Sequence, residues 1–176
     1  MATTLFVTLR MKPDKDWQDI LPHILASQAE RAACSGYSSY FFDVVGKSGE
    51  IAVLTGWKSE EAHSQWLSSE TNKNLNRSLQ PFIDVTSLLH LTIRPSQSWS
   101  GVKAMVYEKL AQGSSVITSS TLKGVVWEGQ GNDAHGKVQG TFKLVALNSL
   151  EALDSVANDN DEKIVRLVRR HDIPLA

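Results

Sequence analysis

Short runs of alternating apolar and polar residues are separated along the chain by segments with helical spacing. Residues 4–10 alternate in this way, which predicts a first strand with Leu5, Val7 and Leu9 on one face. Apolar residues then recur at intervals of three or four over residues 17–25. This spacing places them on one side of an α-helix and predicts that a helix follows the first strand.

Two further strands are predicted from runs of aromatic and β-branched residues. Residues 37–45 read Tyr-Ser-Ser-Tyr-Phe-Phe-Asp-Val-Val, and residues 50–57 read Glu-Ile-Ala-Val-Leu-Thr-Gly-Trp. Residues of these types pack well on a pleated sheet, and the intervening Gly-Lys-Ser-Gly at 46–49 is typical of a hairpin connection. The chain therefore begins with the order strand, helix, strand, strand.

The third predicted strand continues directly into a second helix, and three candidate functional residues lie at this junction. Ser59 is the expected N-cap, because its side-chain oxygen can accept a hydrogen bond from an N–H group of the first turn. His63 and Trp66 are three positions apart and share one face of the helix, while Trp57 ends the strand. An imidazole and two indoles are thus gathered at one place.

The second half of the chain repeats the pattern of the first. Residues 82–93 form an apolar stretch that predicts a fourth strand running on into a fifth, which completes the ferredoxin-like order βαββαβ. Residues 5–10 align with residues 89–94, identical at three positions and conservative at two more. A repeat of this length indicates duplicated domains, although two amphipathic halves can also be similar by chance. We predict one ferredoxin-like unit over residues 1–87 and a second, divergent unit over residues 88–176.

The elements of the second unit are predicted in the same order as those of the first. Apolar residues at helical spacing predict a first helix, and β-branched runs predict the strands. The predicted elements are a helix at 102–110, strands at 122–127 and 138–147, a short helix at 149–153 and a closing strand at 164–168.

Composition excludes several classes of function. The 176 residues are 41% hydrophobic and 21% charged, as in soluble globular proteins. A formal net charge of −1 gives no general attraction to nucleic acid or to an anionic membrane. The N-terminal apolar run is too short for a signal peptide or a membrane span, and the single Cys34 can form no internal disulfide. We expect a cytoplasmic protein that binds neither nucleic acid nor membrane.

No spacing typical of a metal or nucleotide site occurs in the sequence. The chain contains no CxxC or HExxH pair, no GxGxxG or P-loop, and no GxSxG nucleophile motif. We therefore expect no cofactor and no metal ion.

The segment Trp57-Lys58-Ser59-Glu60-Glu61-Ala62-His63, placed after a third strand, resembles the antibiotic-biosynthesis-monooxygenase group of dimeric α+β barrels. The resemblance is clear over residues 2–94 and much weaker over residues 95–176. Members of the group have one ferredoxin-like unit per chain and pair their sheets in a dimer. The resemblance implies an α+β fold in which the two tandem units of one chain form both halves of the barrel, and it leaves a homodimer of such chains open.

The group includes cofactor-independent oxygenases, heme-degrading enzymes and isomerases. Its heme-degrading members carry a heme-ligating His about three turns beyond a Trp that corresponds to Trp66, and this chain reads Asn-Leu-Asn there, at 74–76. The Asn, Trp and Arg set of the oxygenases carries over only at Trp57 or Trp66, with Arg10 as a third member. The resemblance thus implies a reaction without heme.

Two histidines are candidates for catalysis. His63 has an unperturbed pKa near working pH, so it can act as a general acid or base. The alternative is a structural residue that closes the helix start against the sheet. His90 lies in an otherwise apolar run and must be hydrogen-bonded or face a cavity, because burying an unpaired polar group is costly. It is either a satisfied core histidine or a second catalytic group.

Aromatic residues supply the candidate substrate pocket. Tyr40, Phe42, Trp57 and Trp66 would form a wall that suits a flat, apolar ligand, with Arg10 as a polar contact. The alternative is that these aromatic side chains only pack in the hydrophobic core and contact no ligand.

Three functions are compatible with these residues. The first is a cofactor-independent enzyme of specialised metabolism that cyclises or isomerises a small apolar polyketide- or terpenoid-like intermediate, with His63 as acid or base. The second is a cofactor-free monooxygenase that oxidises a phenolic or anthrone-like substrate, as the resemblance implies. The third is a non-catalytic protein that binds a small molecule.

Overall fold

The computed structural model describes residues 1–96, 99, 101–110, 122–156 and 164–170. Helices and strands are mixed along this part of the chain. Their order is β1 (Thr3–Met11), α1 (Trp17–Ser35), β2 (Ser39–Val44), β3 (Glu50–Trp57), α2 (Glu60–Ser68), α3 (Glu70–Leu79), β4 (Ile83–Leu91), β5 (Ala104–Leu110), β6 (Val125–Asn132), β7 (Thr141–Leu147), α4 (Glu151–Asp154) and β8 (Ile164–Arg169).

The strands form one antiparallel, curled sheet of eight strands in the order β4-β1-β3-β2-β8-β5-β7-β6. Its two outermost strands meet at one end, where Leu91 forms a bridge with Asp133. The backbone N–H of Thr92 donates to the carbonyl of Asn132 at 2.9 Å and reinforces this contact. The first four and the last four strands follow the same internal order, which is fourth, first, third, second.

Alternation along the strands gives the sheet two different faces. Phe6 of β1 and Phe42 of β2 point into the interior of the curl, where they join the largest buried cluster. Leu5, Val7 and Leu9 lie on the opposite face, as the sequence predicts. The interior is packed with large side chains from both halves of the chain, among them Leu54, Leu91, Met105, Phe142, Leu144 and Leu167.

Helices α1, α2 and α3 cover the outer face of the first four strands. Asp16 caps α1 through a capping box with Asp19. The buried side of α1 presents Trp17, Ile20 and Ile24 to apolar residues of β1, β2 and β3. This layer of helices on a sheet positions both candidate catalytic residues, His63 on α2 and His90 on β4.

Trp99, which lies between β4 and β5, is held against the interior by hydrogen bonds and ring contacts. The backbone N–H of Trp99 donates to the hydroxyl of Tyr40 at 3.1 Å, and the Trp99 carbonyl accepts from Arg169 Nη1 at 2.5 Å. The indole packs against the rings of Tyr40 and Trp127, with centroids 5.2 and 5.1 Å away. Tyr40 therefore contributes both a hydrogen bond and a packing surface to the interior.

The predicted elements of the first half are confirmed, with a single strand β4 in place of two strands at 82–93. Helix α3 was not predicted, because its residues are mostly polar. The prediction of a helix at 102–110 was wrong, because this segment contains β5. Strand β5 lies between β8 and β7, and Ala104 to Glu108 are all buried. When both faces of a strand are buried, its apolar run is continuous and imitates helical spacing.

The later strands and the short helix lie near their predicted positions, although β6 begins at Val125 and extends to Asn132. The alignment of residues 89–94 with β1 is corrected, because Leu89 and Leu91 belong to the end of β4. Strand β4 also continues across the predicted boundary between residues 87 and 88. The division into two units stays a prediction.

Candidate functional site

A cavity of about 780 Å³ lies between the three helices and the outer face of the first four strands. Its size is in the range of pockets that hold small organic ligands. Its wall is mostly apolar, with a few polar side chains among aliphatic and aromatic ones. The lining includes Leu5, Val7 and Leu9 of β1, Phe41 of β2, Trp57 of β3, Arg31 of α1, His63 and Trp66 of α2, Asn72, Asn76 and Arg77 of α3, and Asp84 of β4.

The junction of β3 and α2 brings three predicted site residues to one wall of this cavity. Ser59 caps α2, and its hydroxyl accepts from the N–H of Ala62 at 3.2 Å. The cap fixes the start of the helix, so that His63 and Trp66 both fall on its buried side. Trp57 is 1% exposed, and its ring centroid is 4.5 Å from that of His63.

His63 contacts a second histidine behind the cavity wall. Nε2 of His90 lies 3.1 Å from Nδ1 of His63. The ring of His135 lies edge-on to the ring of His90, with centroids 4.3 Å apart. Because His90 engages Nδ1, Nε2 is the ring nitrogen of His63 that remains for a ligand.

Burial is the main electrostatic influence on these histidines. Burial, and after it the charges of the neighbouring His90 and His135, lower the pKa of His63 to about 4. Burial also lowers the pKa of His90, followed by the effect of His135 and partly opposed by Asp133. His63 is therefore neutral near pH 7 and can accept a proton or share one with His90.

The lowered pKa of His63 predicts a specific loss of stability in acid. A folded-state pKa of about 4 against about 6.5 in the unfolded chain means that the unfolded state binds more protons between these two values. Stability is therefore complete above about pH 6.5 and falls as the pH drops towards 4. The contribution from His63 alone is about 2 kcal/mol between pH 7.5 and pH 5.

Urea denaturation of the wild type and of His63→Gln at pH 7.5 and pH 5 measures this effect. Between pH 7.5 and pH 5, the free energy of unfolding of His63→Gln should fall by about 2 kcal/mol less than that of the wild type, because glutamine does not titrate. His23→Gln is the matched control, since His23 is only half-buried on α1 and lies outside the cavity lining. Equal losses in the wild type and in His63→Gln would contradict the assignment.

The other predicted site residues lie elsewhere. The rings of Tyr40 and Phe42 point into the interior of the curled sheet, and it is Phe41 between them that lines the cavity. Arg10 forms an ion pair with Glu50, with Nη2 2.6 Å from Oε1, away from the cavity lining. His90 reaches the site only through His63.

Sequence reasoning missed Arg31, Asn72 and Asn76, which all line the cavity. Arg31 follows Trp17 and Ile24 at intervals of seven residues, so it continues the buried stripe of α1. That spacing could have placed Arg31 on the buried side of α1 from the sequence alone. No pattern in the sequence identifies His135, because its approach to His90 depends on the closure of the sheet at Leu91 and Asp133.

Two features of the described residues bear on the class of site. Within the ranges given above, no three His, Cys, Asp or Glu side chains are grouped so as to hold a metal ion. None of the helices in the same part of the chain is long and apolar enough to cross a membrane.

Comparison with known proteins gives structural matches without sequence matches. No protein-family model matches the chain, and no curated protein matches it in sequence. A candidate monooxygenase from Fusobacterium nucleatum superposes with a TM-score of 0.65 at 9% identity, covering 99% of this chain and 93% of its own. A candidate monooxygenase from Lactobacillus acidophilus NCFM gives 0.63 at 9% identity, covering 99% and 95%.

An anthrone oxidase-like protein also has a related structure, with a TM-score of 0.52 at 13% identity over 96% of this chain and 92% of its own. At such low identities the likeness shows the fold alone. The chain therefore shares the mixed α+β fold, with a curled antiparallel sheet, of dimeric α+β barrel proteins.

Proposed function

We propose that this chain is a cofactor-independent enzyme that moves a proton on a small apolar molecule bound between the helices and the sheet. The observation that carries the proposal is His63, which is neutral because it is buried and which lines an apolar cavity of about 780 Å³. A neutral imidazole in the wall of an apolar pocket can act as a general base near pH 7. The function of first choice is isomerisation or cyclisation.

The contact with His90 defines how His63 would act as a base. When Nδ1 of His63 carries the ring proton and donates it to Nε2 of His90, Nε2 of His63 has a free lone pair. Nε2 then takes a proton from an acidic C–H group of the substrate, which leaves a carbanion or enolate. Returning the proton to a different atom completes an isomerisation. Attack of the carbanion on a carbonyl of the same molecule forms an alkoxide, and return of the proton from Nε2 of His63 to this oxygen completes a cyclisation.

His90 serves this step as a positioning residue. Its Nε2 accepts the Nδ1 proton of His63 and thereby favours the tautomer that leaves Nε2 of His63 unprotonated. In the other tautomer, His90 donates to Nδ1 and His63 presents an N–H group to the cavity, which can donate a hydrogen bond to a substrate oxygen. The proton that Nε2 removes is returned by the imidazolium that this removal forms on His63.

We further propose that the fold consists of two tandem ferredoxin-like units of the antibiotic-biosynthesis-monooxygenase type. The support is the strand order, since β4-β1-β3-β2 and β8-β5-β7-β6 both follow the ferredoxin-like arrangement. On this reading the units divide in the segment between β4 and β5. The first unit carries Trp57, His63 and Trp66, and the second completes the interior.

Cofactor-free monooxygenation is the second candidate. The observation that favours it is the shared fold with candidate monooxygenases and an anthrone oxidase-like protein. Proton removal by His63 would leave a carbanion that molecular oxygen, the oxidant in this reaction, can oxidise. A CH₂ group becomes a carbonyl, one oxygen atom enters the product and the other leaves as water.

Deuterium exchange tests the proposal without knowledge of the natural substrate. 2-Tetralone and anthrone are incubated with the protein in D₂O, and deuterium at the carbon next to the carbonyl, or at the central CH₂, is followed by mass spectrometry. Exchange above the uncatalysed rate with no oxygen uptake supports isomerase-type chemistry, whereas oxygen uptake with anthrone supports the monooxygenase. If both probes bind and neither reaction is accelerated, the protein is a binder and the enzymatic proposal is wrong.

A further inference from the structure

Two hydrophobic clusters on the outer face of the first four strands border the cavity. Trp57 and Trp66 belong to the first cluster, and Leu5 packs against it. Leu9 and Ile83 belong to the second cluster. All five side chains line the cavity. The part of the cavity beside Trp57 and Trp66 is its near end, and the part beside Leu9 and Ile83 is its far end.

Strand β1 gives the distance between the two ends. Leu5 lies opposite His90 of β4 in the register of the sheet, and Leu9 lies opposite Val85. Because His90 contacts His63, the near end is the one that holds the candidate base. Leu9 follows Leu5 by four residues, which corresponds to about 13 Å along an extended strand.

Helix α3 lies over the same length of the cavity. Asn72, Leu75 and Leu79 line the cavity, and their spacing places them on one face of the helix. Leu75 packs against both clusters, whereas Leu79 belongs to the far one. From residue 72 to residue 79 the helix rises by about 10 Å. The helix therefore runs lengthwise above β1, from the near end towards the far end.

The cavity is longer than it is wide. A volume of about 780 Å³ over a length of about 13 Å corresponds to a mean width of about 8 Å. A short ligand that fills the near end leaves the apolar wall of the far end uncovered. A ligand that extends along β1 covers the walls of both ends, and burial of apolar surface favours it.

One long side of the cavity is open to solvent. Val85 and Leu88 of β4 line the cavity and are 60% and 50% exposed, and Leu67 of α2 lines it and is 51% exposed. In the sheet, Leu88 pairs with Val7 and Val85 pairs with Leu9, so the exposed residues continue from the middle of the cavity to its far end. Exposed apolar residues along a cavity are typical of a ligand-binding groove. A ligand can therefore enter from this side and lie lengthwise.

We propose that the ligand is an elongated apolar molecule of about 13 Å, with its reacting group at the near end and its body along β1 towards the far end. This inference rests on the proposed function in one respect, namely that the cavity is the ligand site, and it adds the substrate class. Because His63 lies at the near end, the acidic C–H group belongs at one end of the molecule. Of the two exchange probes, 2-tetralone fits this placement better than anthrone, whose CH₂ group is at the middle of its long axis.

Two isomers test the inference in the wild type. 2-Anthracenecarboxamide and 9-anthracenecarboxamide have the same atoms, but the amide is at the end of the long axis in the first and at its middle in the second. Their affinities for the full chain are measured by equilibrium dialysis at pH 7.5. We expect the 2-isomer to bind about 10 times more tightly, because only this isomer can place the amide beside His63 and all its rings along the cavity. Equal affinities, or tighter binding of the 9-isomer, would overturn the proposal.

A series of three amides tests the length. Benzamide, 2-naphthamide and 2-anthracenecarboxamide each add one ring in the same direction. Affinity should rise by about 10-fold with each ring, because each ring buries further apolar surface. Equal affinities of the last two amides would mean that the ligand does not reach the far end, which contradicts the inference.

The same substitution at two positions of β1 assigns the ends. Leu9→Phe places a larger side chain at the far end and should lower the affinity for 2-anthracenecarboxamide by about 10-fold without changing that for benzamide. Leu5→Phe, the matched control at the near end, should weaken the binding of both amides. Equal effects of the two variants on benzamide would contradict the placement. Thermal unfolding shows whether each variant is folded, and the comparison of isomers in the wild type needs neither variant.

The outcomes separate this inference from the proposed function. If the two isomers bind equally well, the cavity is a ligand site and only the elongated shape of the ligand is wrong. If the 2-isomer is preferred but 2-tetralone exchanges no deuterium above the uncatalysed rate, the shape is right and the enzymatic proposal is wrong. If none of the amides binds, the cavity is not a ligand site and both proposals fail.

Discussion

Replacing His63 with glutamine should lower the rate of deuterium exchange into 2-tetralone or anthrone by about 10²- to 10⁴-fold, the usual contribution of a general base. Glutamine is similar in size and polar, so it can occupy the same place on α2, but it cannot accept the substrate proton. Binding of the probe should change little, because most of the cavity wall remains. The substitution should therefore lower the rate constant of exchange in the bound complex and leave the affinity for the probe nearly unchanged.

Two controls define this prediction. His23→Gln makes the same chemical change at a half-buried position of α1 outside the cavity lining and should leave the rate unchanged. His90→Gln should lower the rate less and shift its pH dependence, because His90 acts only through Nδ1 of His63. If His63→Gln exchanges deuterium as fast as the wild type, His63 is a structural residue of the helix start.

The largest loss of stability is expected from Phe42→Ala, at about 3 to 5 kcal/mol. Phe42 is 0% exposed and lies in the interior cluster, where few neighbours can collapse into the space that the ring leaves. Urea denaturation at pH 7.5 measures the change in the free energy of unfolding. Phe82→Ala is the matched control, because that ring is only partly buried against the helices, and it should lose about half as much or less.

Phe42→Ala also distinguishes a residue that packs the interior from one that contacts the ligand. Phe42 faces the interior, so folded Phe42→Ala should bind 2-naphthamide with nearly the affinity of the wild type. A small loss of stability combined with a large loss of affinity would mean that the ligand lies inside the curled sheet rather than beneath the helices.

Much of the first half of the fold could be predicted because its local signals agree with one another. β1 alternates cleanly, and Ser59 separates a buried strand from an amphipathic helix. The same junction located Trp57, His63 and Trp66, since strand end, cap and helical spacing together fix where these side chains lie.

The remaining features depend on contacts between distant parts of the chain. β5 pairs at its edges with β8 and β7, and its two faces are buried in different clusters, Met105 in the interior and Val106 on the other side. A sequence window cannot distinguish this burial from that of a helix. Alternation places Phe41 and Phe42 on opposite faces but does not say which face is covered by helices. His135 reaches His90 only because the sheet closes.

The position of a bound neutral probe tests the central claim most directly, namely that ligands occupy the cavity beside His63. The protein is labelled with ¹⁵N at histidine and titrated with 2-naphthamide, and intermolecular NOEs are recorded. We predict shifts of the His63 ring nitrogens and NOEs from the probe to Trp57 and Trp66. NOEs to Tyr107 and Phe142 of the interior, with His63 unshifted, would contradict the claim.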